Sequence, residues 1–471
     1  MNNLKKNIIY NIIYQILILI IPLIMTPYLS RVIGSSGVGI YSYTYSIVYY
    51  FMLFTLLGLN NYGNRTIAKV RDDKDKLSRT FWSIYSFQVL MGIIMLFIYF
   101  MYIILFCENY KVISFIDSMF ILSSMLDINW FFFGLEEFKK TIIRSTFVKI
   151  LSVILIFIFV KNESDVWIYS LIMSSTTLLS QILLFGFLKG KIKFINIKSS
   201  DIIKHIKPNI TLFVPVIAVS LYKMMDKIML GILTNINEVG FYENAEKIVN
   251  IPTTIIAALG TVMLPRMSNI IAKGKNDKAK EYINKSIQLV MFAAFPMAMG
   301  IAAIAKDFAP FYFGNGFEKS GGLMILLSIT LPFISFANVI RTQYLIPKEK
   351  DKIYIKSVIL GAIINFVMNI LFISKYKSIG ACIGTISAEI IVMLYQTIAV
   401  RKELPITNYL KDSVKFLVKA LIMYVFIYML GKINILPLYK MLIQIFSGIV
   451  IYILLNLKFI IVNYKVKKEK K

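Results

Sequence analysis

A succession of apolar stretches, each long enough to cross a bilayer, constrains this chain more than any other feature. A transmembrane helix needs ~20 apolar residues. Fourteen stretches reach that length: 8–30, 38–60, 81–106, 113–134, 141–160, 166–188, 208–233, 239–264, 284–305, 322–346, 353–374, 379–400, 412–431 and 435–461. Hydrophobic residues make up 58% of the 471, above the ~45–50% usual in soluble domains. The expected fold is all-α, a polytopic membrane protein of about 14 transmembrane helices. The first stretch is too long for a signal-peptide core and lacks a small-residue cleavage site after it, so it is read as a span.

Lys and Arg number 52 against 25 acids, a net charge of +27. In a soluble domain such an excess would raise nucleic-acid binding, but here its position decides otherwise. With the N-terminus inside, one face receives Lys5, Lys6, Lys139, Lys140, the segments 65–79, 189–207, 266–285, 348–352 and 401–415, and the tail from 458. Cytoplasmic loops carry such an excess. Both termini are therefore expected in the cytoplasm, with the positive charge serving orientation and anionic lipid rather than nucleic acid.

Cys107 and Cys382 lie far apart in apolar runs and are read as packing residues. The one histidine, His205, cannot build a multi-histidine metal site and is expected at the surface or the interface. The chain holds no Gly-x-x-x-x-Gly-Lys-Ser/Thr motif and no Ser/His/Asp or Cys/His constellation. That argues against ATP-driven transport by this chain alone and against most hydrolytic chemistry. No cofactor or metal is expected, and any coupling would use H+ or Na+.

An internal repeat organises the spans. Val38-Gly39-Ile40-Tyr41 recurs as Val239-Gly240-Phe241-Tyr242, an offset of 201 that also pairs Ile47 with Ile248 and Arg65 with Arg266. Six spans fill the interval, and an even number preserves orientation, so the copies are parallel repeats about an axis along the membrane normal. The expected domains are an N-terminal lobe, 1–207, a C-terminal lobe, 208–405, and two extra spans with a basic tail, 406–471. The lobes are expected to meet at a central cleft. Pro22 and Pro27 in the first span and Pro215 in the seventh each remove a backbone hydrogen bond; static kinks and moving hinges are equally compatible with them.

Ionisable residues inside the spans mark candidate sites, because a charge in hydrocarbon is costly unless it meets a partner or water. The segment 222–247 concentrates them: Lys223, Asp226, Lys227, Glu243, Glu246 and Lys247. With Arg31 these fall in the outer half of spans 1, 7 and 8. Asp127, Arg144, Lys149, Arg341 and Lys356 fall in the inner half of spans 4, 5, 10 and 11, and Glu389 lies near the middle of span 12. Spacings of three and four place Lys223 with Asp226 and Lys227 on one helix face, and Glu243 with Glu246 and Lys247 on another. Ion pairs holding spans 7 and 8 together and a polar path for cargo are both open readings. Glu389 and Asp127 lack a charged neighbour nearby in sequence; a carboxyl isolated in a low dielectric can exchange protons. These two, with Asp226, are the candidates for ion coupling. Tyr41, Tyr45 and their neighbours Tyr43, Tyr49 and Tyr50 read as packing or interfacial residues, or as a lining for sugar, since tyrosine joins a flat apolar face to a polar tip.

Several motifs carry a family resemblance. Pro27-Tyr28-Leu29-Ser30-Arg31-Val32-Ile33-Gly34, then Val38-Gly39-Ile40-Tyr41 and Leu57-Gly58-Leu59-Asn60-Asn61-Tyr62-Gly63-Asn64-Arg65, resemble the opening of the polysaccharide transporters, the Wzx-like flippases. Asp127-Ile128-Asn129-Trp130-Phe131-Phe132-Phe133-Gly134-Leu135-Glu136, the stretch with Asp226 and Gly240-Phe241-Tyr242, and Gln343-Tyr344-Leu345-Ile346-Pro347 extend the likeness over at least 10–400. The resemblance implies the fold of the multidrug, oligosaccharidyl-lipid and polysaccharide exporters, two six-helix lobes with spans 1, 2, 7 and 8 lining the cavity. It implies movement of an undecaprenyl-diphosphate-linked oligosaccharide to the outer leaflet of a bacterial plasma membrane, with membrane lipids and other polysaccharide-assembly membrane proteins as partners.

On that reading, cationic side chains hold the diphosphate and any acidic sugar, arginine being able to bind phosphate bidentately. Arg31, Lys223, Arg144 and Arg341 lead, followed by Lys149 and Lys356, with Tyr41 and Tyr45 against the sugar. A flippase for a lipid-linked peptidoglycan precursor and an ion-coupled multidrug antiporter share the fold and remain alternatives, although several cavity bases favour an anionic cargo. A membrane glycosyltransferase or polymerase would carry large outer loops, and the outer loops here are short.

Overall fold

The computed structural model describes residues 3–433 and 435–461, with side chains from residue 20 onward apart from that of Tyr222. The side chains of Lys5 and Lys6 and the tail 462–471, expected in basic cytoplasmic segments, lie outside the described residues. Among the described residues helices are the only regular elements, which suits lipid, where each segment must satisfy its own backbone polar groups.

The chain divides into two compact units, Met1–Gly240 and Phe241–Lys471. The first contains α1 (Asn3–Leu56), α2 (Leu59–Val70), α3 (Lys74–Phe106), α4 (Lys111–Met125), α5 (Asn129–Gly134), α6 (Phe138–Phe159), α7 (Val166–Phe185), α8 (Ser199–Ile203), α9 (Ile206–Leu233) and the first turn of α10 (Ile236–Ala272). The second continues through α11 (Asn276–Phe313), α12 (Glu318–Ser328), α13 (Thr330–Ile340), α14 (Asp351–Tyr376), α15 (Ser378–Val400), α16 (Ile406–Leu430) and α17 (Pro437–Leu455). In the first unit α1 packs on α3, α4, α6, α7 and α9. In the second, α14 packs on α15, and α11 on α12 and α16.

Among the described residues thirteen segments are long and apolar enough to cross a membrane. The first, Ile20–Val70, is 51 residues long and covers the end of the first expected span and all of the second, so each of the fourteen expected spans meets one of these segments. Their outward faces remain apolar: Phe97, Ile104 and Phe106 on α3 are 67, 70 and 74% exposed, the pattern of helices whose solvent is lipid. The protein is a multi-pass membrane protein.

Local breaks follow from particular residues. Helix α1 runs through Pro22 and Pro27 and departs from helical geometry at Gly34, with φ 65° and ψ −176°, a conformation in effect reserved for glycine. The bend between the first two spans therefore belongs to Gly34 and not to the prolines. The expected span 113–134 divides at 126–128, where the Asp127 carboxylate accepts the Asn129 backbone N–H at 2.9 Å. This side-chain turn competes with helical hydrogen bonding, ending α4 and starting α5. After α13, residues Arg341–Leu345 form a π-helical turn, a form that recurs at functional sites.

His205 corrects an expectation. It is not at the surface but buried, and its ring nitrogens hydrogen-bond the hydroxyls of Tyr62 (2.7 Å) and Ser83 (2.8 Å). A neutral imidazole donates at one nitrogen and accepts at the other, so one side chain joins α2 and α3 to the start of α9.

Between α5 and α6, Glu137 pairs with Lys140 at 2.9 Å and with Lys191 beyond α7. Partial burial pushes the Glu137 carboxyl up, but the ion pairs with Lys191 and Lys140 outweigh it and hold the group below the ordinary glutamate value. A carboxyl lowered in the folded state adds stability above its unfolded pKa, and that stability is lost as pH falls through the folded value. Amide exchange around Lys191 is therefore expected to rise below about pH 4, and Glu137→Gln should show the faster exchange at neutral pH. Equal exchange in both proteins across this range would mean that the pair does not anchor the connector.

Candidate functional site

The two copies of the repeated motif place their glycines against each other inside the first unit. A Cβ on Gly39 would lie 2.0 Å from the Ile236 carbonyl oxygen and 3.1 Å from the Gly240 nitrogen. A Cβ on Gly240 would lie 2.0 Å from the Ser35 carbonyl oxygen and 3.2 Å from the Gly39 nitrogen. Ser35 and Ile236 stand at the same offset as the two glycines, so the contact has a local pseudo-twofold symmetry. Small residues let membrane helices approach this closely. The Ser35 hydroxyl adds a hydrogen bond to Asn237 Oδ1 at 3.1 Å.

From this crossing, α1 and α9 run antiparallel. The Tyr43 ring covers Gly231, where a Cβ would stand 2.2 Å from a ring carbon. Ser46 donates to Met224 Sδ at 3.8 Å, and the Tyr50 hydroxyl reaches the Ser220 and Leu221 carbonyls, each at 3.3 Å. At the far end, a Cβ on Gly58 would meet the Asn209 carbonyl oxygen at 2.6 Å. Several candidate charges lie near this seam. Lys223 is exposed, whereas Asp226 and Lys227 are 2% and 7% exposed. Arg31, before the Gly34 bend, is exposed. On α10, Lys247 pairs with Glu243 at 3.1 Å, four residues apart on one helix, and that pair braces α10 itself.

A second polar group forms where α5, α6 and α7 meet. Arg144, 7% exposed, donates from Nη1 to the Ser180 carbonyl (3.0 Å) and Gln181 Oε1 (3.2 Å), and from Nη2 to Asn129 Oδ1 (3.1 Å) and Ser145 Oγ (2.9 Å). Asn129 in turn donates from Nδ2 to Asp127 Oδ1 at 2.6 Å. Asp127, isolated in sequence, is thus joined to Arg144 through one amide. Lys149, one turn further along α6, is half-buried.

Packing fixes this group. Trp130 is fully buried and sits on Gly63 of α2, where a Cβ would come within 2.7 Å of the indole. Its Nε1 donates to Gln88 Oε1 at 3.0 Å, while the Gln88 amide donates to the carbonyls of Ser124 (2.6 Å) and Asp127 (2.9 Å). Gly134 meets Ile67 in the same way, its Cβ position lying 2.6 Å from the Ile67 Cβ. The Asn-Tyr-Gly-Asn-Arg and Asp-Ile-Asn-Trp motifs are the two faces of one contact.

In the second unit, Arg341 opens the π-helical turn, half-buried, with Nη2 on Asn338 Oδ1 at 2.7 Å and its guanidinium 5.4 Å from the Tyr354 ring centroid. The next residues include Gln343, fully buried with neither amide atom bonded to protein. Lys356 is exposed, and Glu389 on α15 is 7% exposed. Tyr41 and Tyr45 are half-buried. Tyr41 packs on Tyr45 and Tyr169 with centroids 5.7 and 4.5 Å apart, and Tyr45 on Phe120 at 5.2 Å.

Asp127 and Arg144 are thus brought into one group, while Asp226 and Glu389 lie in different units. Sequence reasoning missed the amides Gln88, Asn129 and Gln181, and it missed Asp117. This aspartate sits in the apolar run Ile113-Ser114-Phe115-Ile116-Asp117-Ser118-Met119-Phe120 and is fully buried. The signal was available: one acid in a span with no base nearby.

Comparisons with known proteins fit this architecture. The family described as polysaccharide biosynthesis protein matches residues 4–271, and the MatE family matches 212–371. A protein of Escherichia coli (strain K12) named "Putative O-antigen transporter" is 25% identical over 406 residues, which cover 85% of this chain and 97% of that protein. The lipid II flippase MurJ of Bacillus subtilis (strain 168) is 24% identical over 159 residues, 33% of this chain and 29% of that one. Among solved structures, lipid II flippase MurJ in an inward closed conformation has a TM-score of 0.79 at 17% identity, covering 96% of this chain and 98% of its own. An inward-facing multidrug resistance transporter of the MATE family has a TM-score of 0.61 at 13% identity, covering 82% and 98%. Helical membrane fold, repeat and a match over more than half its length together make this chain a member of the polysaccharide biosynthesis protein family.

Proposed function

We propose that the protein is a flippase that moves an undecaprenyl-diphosphate-linked oligosaccharide from the cytoplasmic to the outer leaflet of a bacterial plasma membrane, by alternating access, with both termini cytoplasmic. One conjunction carries this reading. The family description speaks of polysaccharide, and the name of the MurJ relative speaks of a lipid that is flipped; a lipid-linked saccharide is a cargo that answers to both. The bases inside the spans, Arg31, Lys223, Arg144 and Arg341 among them, suit a diphosphate head group.

The cations Arg31, Lys223 and Lys356 are assigned to the diphosphate, because their side chains are not enclosed by protein. Arg341, with its guanidinium over the Tyr354 ring, suits the sugar–phosphate end. Arg144 is held by four protein oxygens and positions the α5–α7 group. Lys149, five residues further along α6, is a further cation assigned to the cargo. Tyr41 and Tyr45, half-buried, offer ring faces to sugar. The lipid tail stays in the bilayer while the head group crosses. The cycle draws on a proton or sodium gradient, or on the membrane potential, which is worth about 2.3 kcal/mol per charge per 100 mV; Asp226, Glu389 and Asp127 are its ion-coupling candidates.

The test is to follow lipid-linked oligosaccharide across the membrane of cells lacking the gene. The expected result is glycolipid retained in the inner leaflet and released when the gene is restored. Glycolipid reaching the outer leaflet at the normal rate would refute the proposal.

A further inference from the structure

Asp117 stands apart from every group used above. It lies in the middle of α4, fully buried among α1, α3 and α7. The Ser170 hydroxyl of α7 donates to its Oδ1 at 2.5 Å, and Oδ2 is buried without a hydrogen-bond partner in the protein. The hydroxyl of Thr44 on α1 also faces the carboxyl. From α3 the titratable neighbour is Tyr99, itself 1% exposed and bonded through its hydroxyl to the Ser114 carbonyl at 3.0 Å. On α4 the neighbours are Ser114 and Ser118. Among the described residues no Lys or Arg forms an ion pair with Asp117.

An ionised carboxylate in hydrocarbon is expensive without a counter-charge. A residue serving only to tie α4 to α7 would do so as asparagine or serine, without that cost. The carboxyl also lies next to residues that pack on the tyrosines of α1. Tyr169 precedes the donor Ser170 and packs on Tyr41, while Phe120, one turn beyond Asp117, packs on Tyr45. Thr44 lies between those two half-buried tyrosines on α1.

The geometry points to Asp117 as a proton-binding site of the transport cycle. In the occupied state a proton taken from water forms the O–H bond on Oδ2, and Oδ1 keeps the Ser170 hydrogen bond. In the emptied state the proton returns to water, and the Thr44 and Ser170 hydroxyls both turn toward the carboxylate. The site needs no other reactant. Its use in coupling rests on the flippase reading; its existence does not.

Infrared difference spectra of the full-length protein in lipid nanodiscs, recorded as pH is stepped through the neutral range, read the site directly. The expected result is a protonated-carboxyl carbonyl band that appears on acidification, is absent in Asp117→Asn and persists in Asp226→Asn. Ser170→Ala removes the donor to Oδ1 and should shift that band, which a purely structural carboxyl outside the titrating range would not show. A band unchanged in Asp117→Asn, or an Asp117 that stays protonated or stays ionised throughout, overturns the proposal. So does a band governed by NaCl against KCl at fixed pH, which would make this an alkali-cation site. In liposomes carrying an undecaprenyl-diphosphate-linked disaccharide, Asp117→Asn should flip it without dependence on the pH gradient. Retention of the wild-type dependence overturns the coupling role. If the wild-type protein moves no disaccharide, the flippase reading fails while the infrared result still decides the site.

Discussion

Gly39→Ala and Gly240→Ala should each lower the stability of the protein by about 2 to 3 kcal/mol, near the upper end of the cost of overpacking, and the double variant should cost less than their sum. Each added methyl would stand 2.0 Å from a backbone carbonyl oxygen, of Ile236 in one case and Ser35 in the other. Carbon–oxygen contacts of this kind settle near ~3.3 Å. No rotamer change relieves the clash, because both partners are backbone, so the helices must separate by more than ~1 Å. Once they have done so for the first alanine, the second enters space already opened. Strong non-additivity is the signature of one shared contact. Thermal unfolding of the purified single and double variants in one detergent measures it. A double variant whose loss equals the sum would show two independent sites and would dissolve the pseudo-twofold contact.

That contact illustrates how far the sequence can be read. The offset of 201 was visible as a repeat, and so was the even number of spans within it; that the two glycines touch was not, because periodicity carries orientation but no distance. Span positions were legible for the same reason that lipid imposes them: each helix must be long, apolar and internally bonded. Interruptions were less so. Proline is the usual sign of a kink, yet α1 tolerates Pro22 and Pro27 and breaks at Gly34. The Asp127 turn depends on a side chain bonding two residues ahead, which a hydropathy window averages away. The site shows a similar division. Exposed cations such as Arg31 and Lys223 stand out by charge alone. The Arg144 group depends on Asn129 and Gln181, neutral amides 15 and 37 residues away, and neutral amides leave no mark on a charge map. His205 misled through its neighbours: Lys204 and Lys207 are exposed, while the imidazole between them turns inward.

Arg144→Ala and Lys223→Ala should separate along stability and transport. Removing the Arg144 side chain takes its charged donor from the Ser180 carbonyl, Gln181 Oε1 and Asn129 Oδ1 in a buried setting. Breaking a buried charged network by deleting one partner costs ~3–5 kcal/mol, so Arg144→Ala should unfold at markedly lower temperature and be recovered in poor yield. Lys223 is exposed. Its loss should leave stability within ~0.5 kcal/mol of wild type, while flipping of a diphosphate-linked lipid slows by roughly 10- to 100-fold, the equivalent of one hydrogen bond to a charged group at ~1.5–3 kcal/mol. Arg31→Ala should follow Lys223→Ala. Paired measurement of thermal midpoint and flipping rate in the three variants tests both assignments at once. A stable, transport-dead Arg144→Ala would move that guanidinium from scaffold to cargo contact, and a Lys223→Ala that flips normally would remove its ammonium from the cargo site.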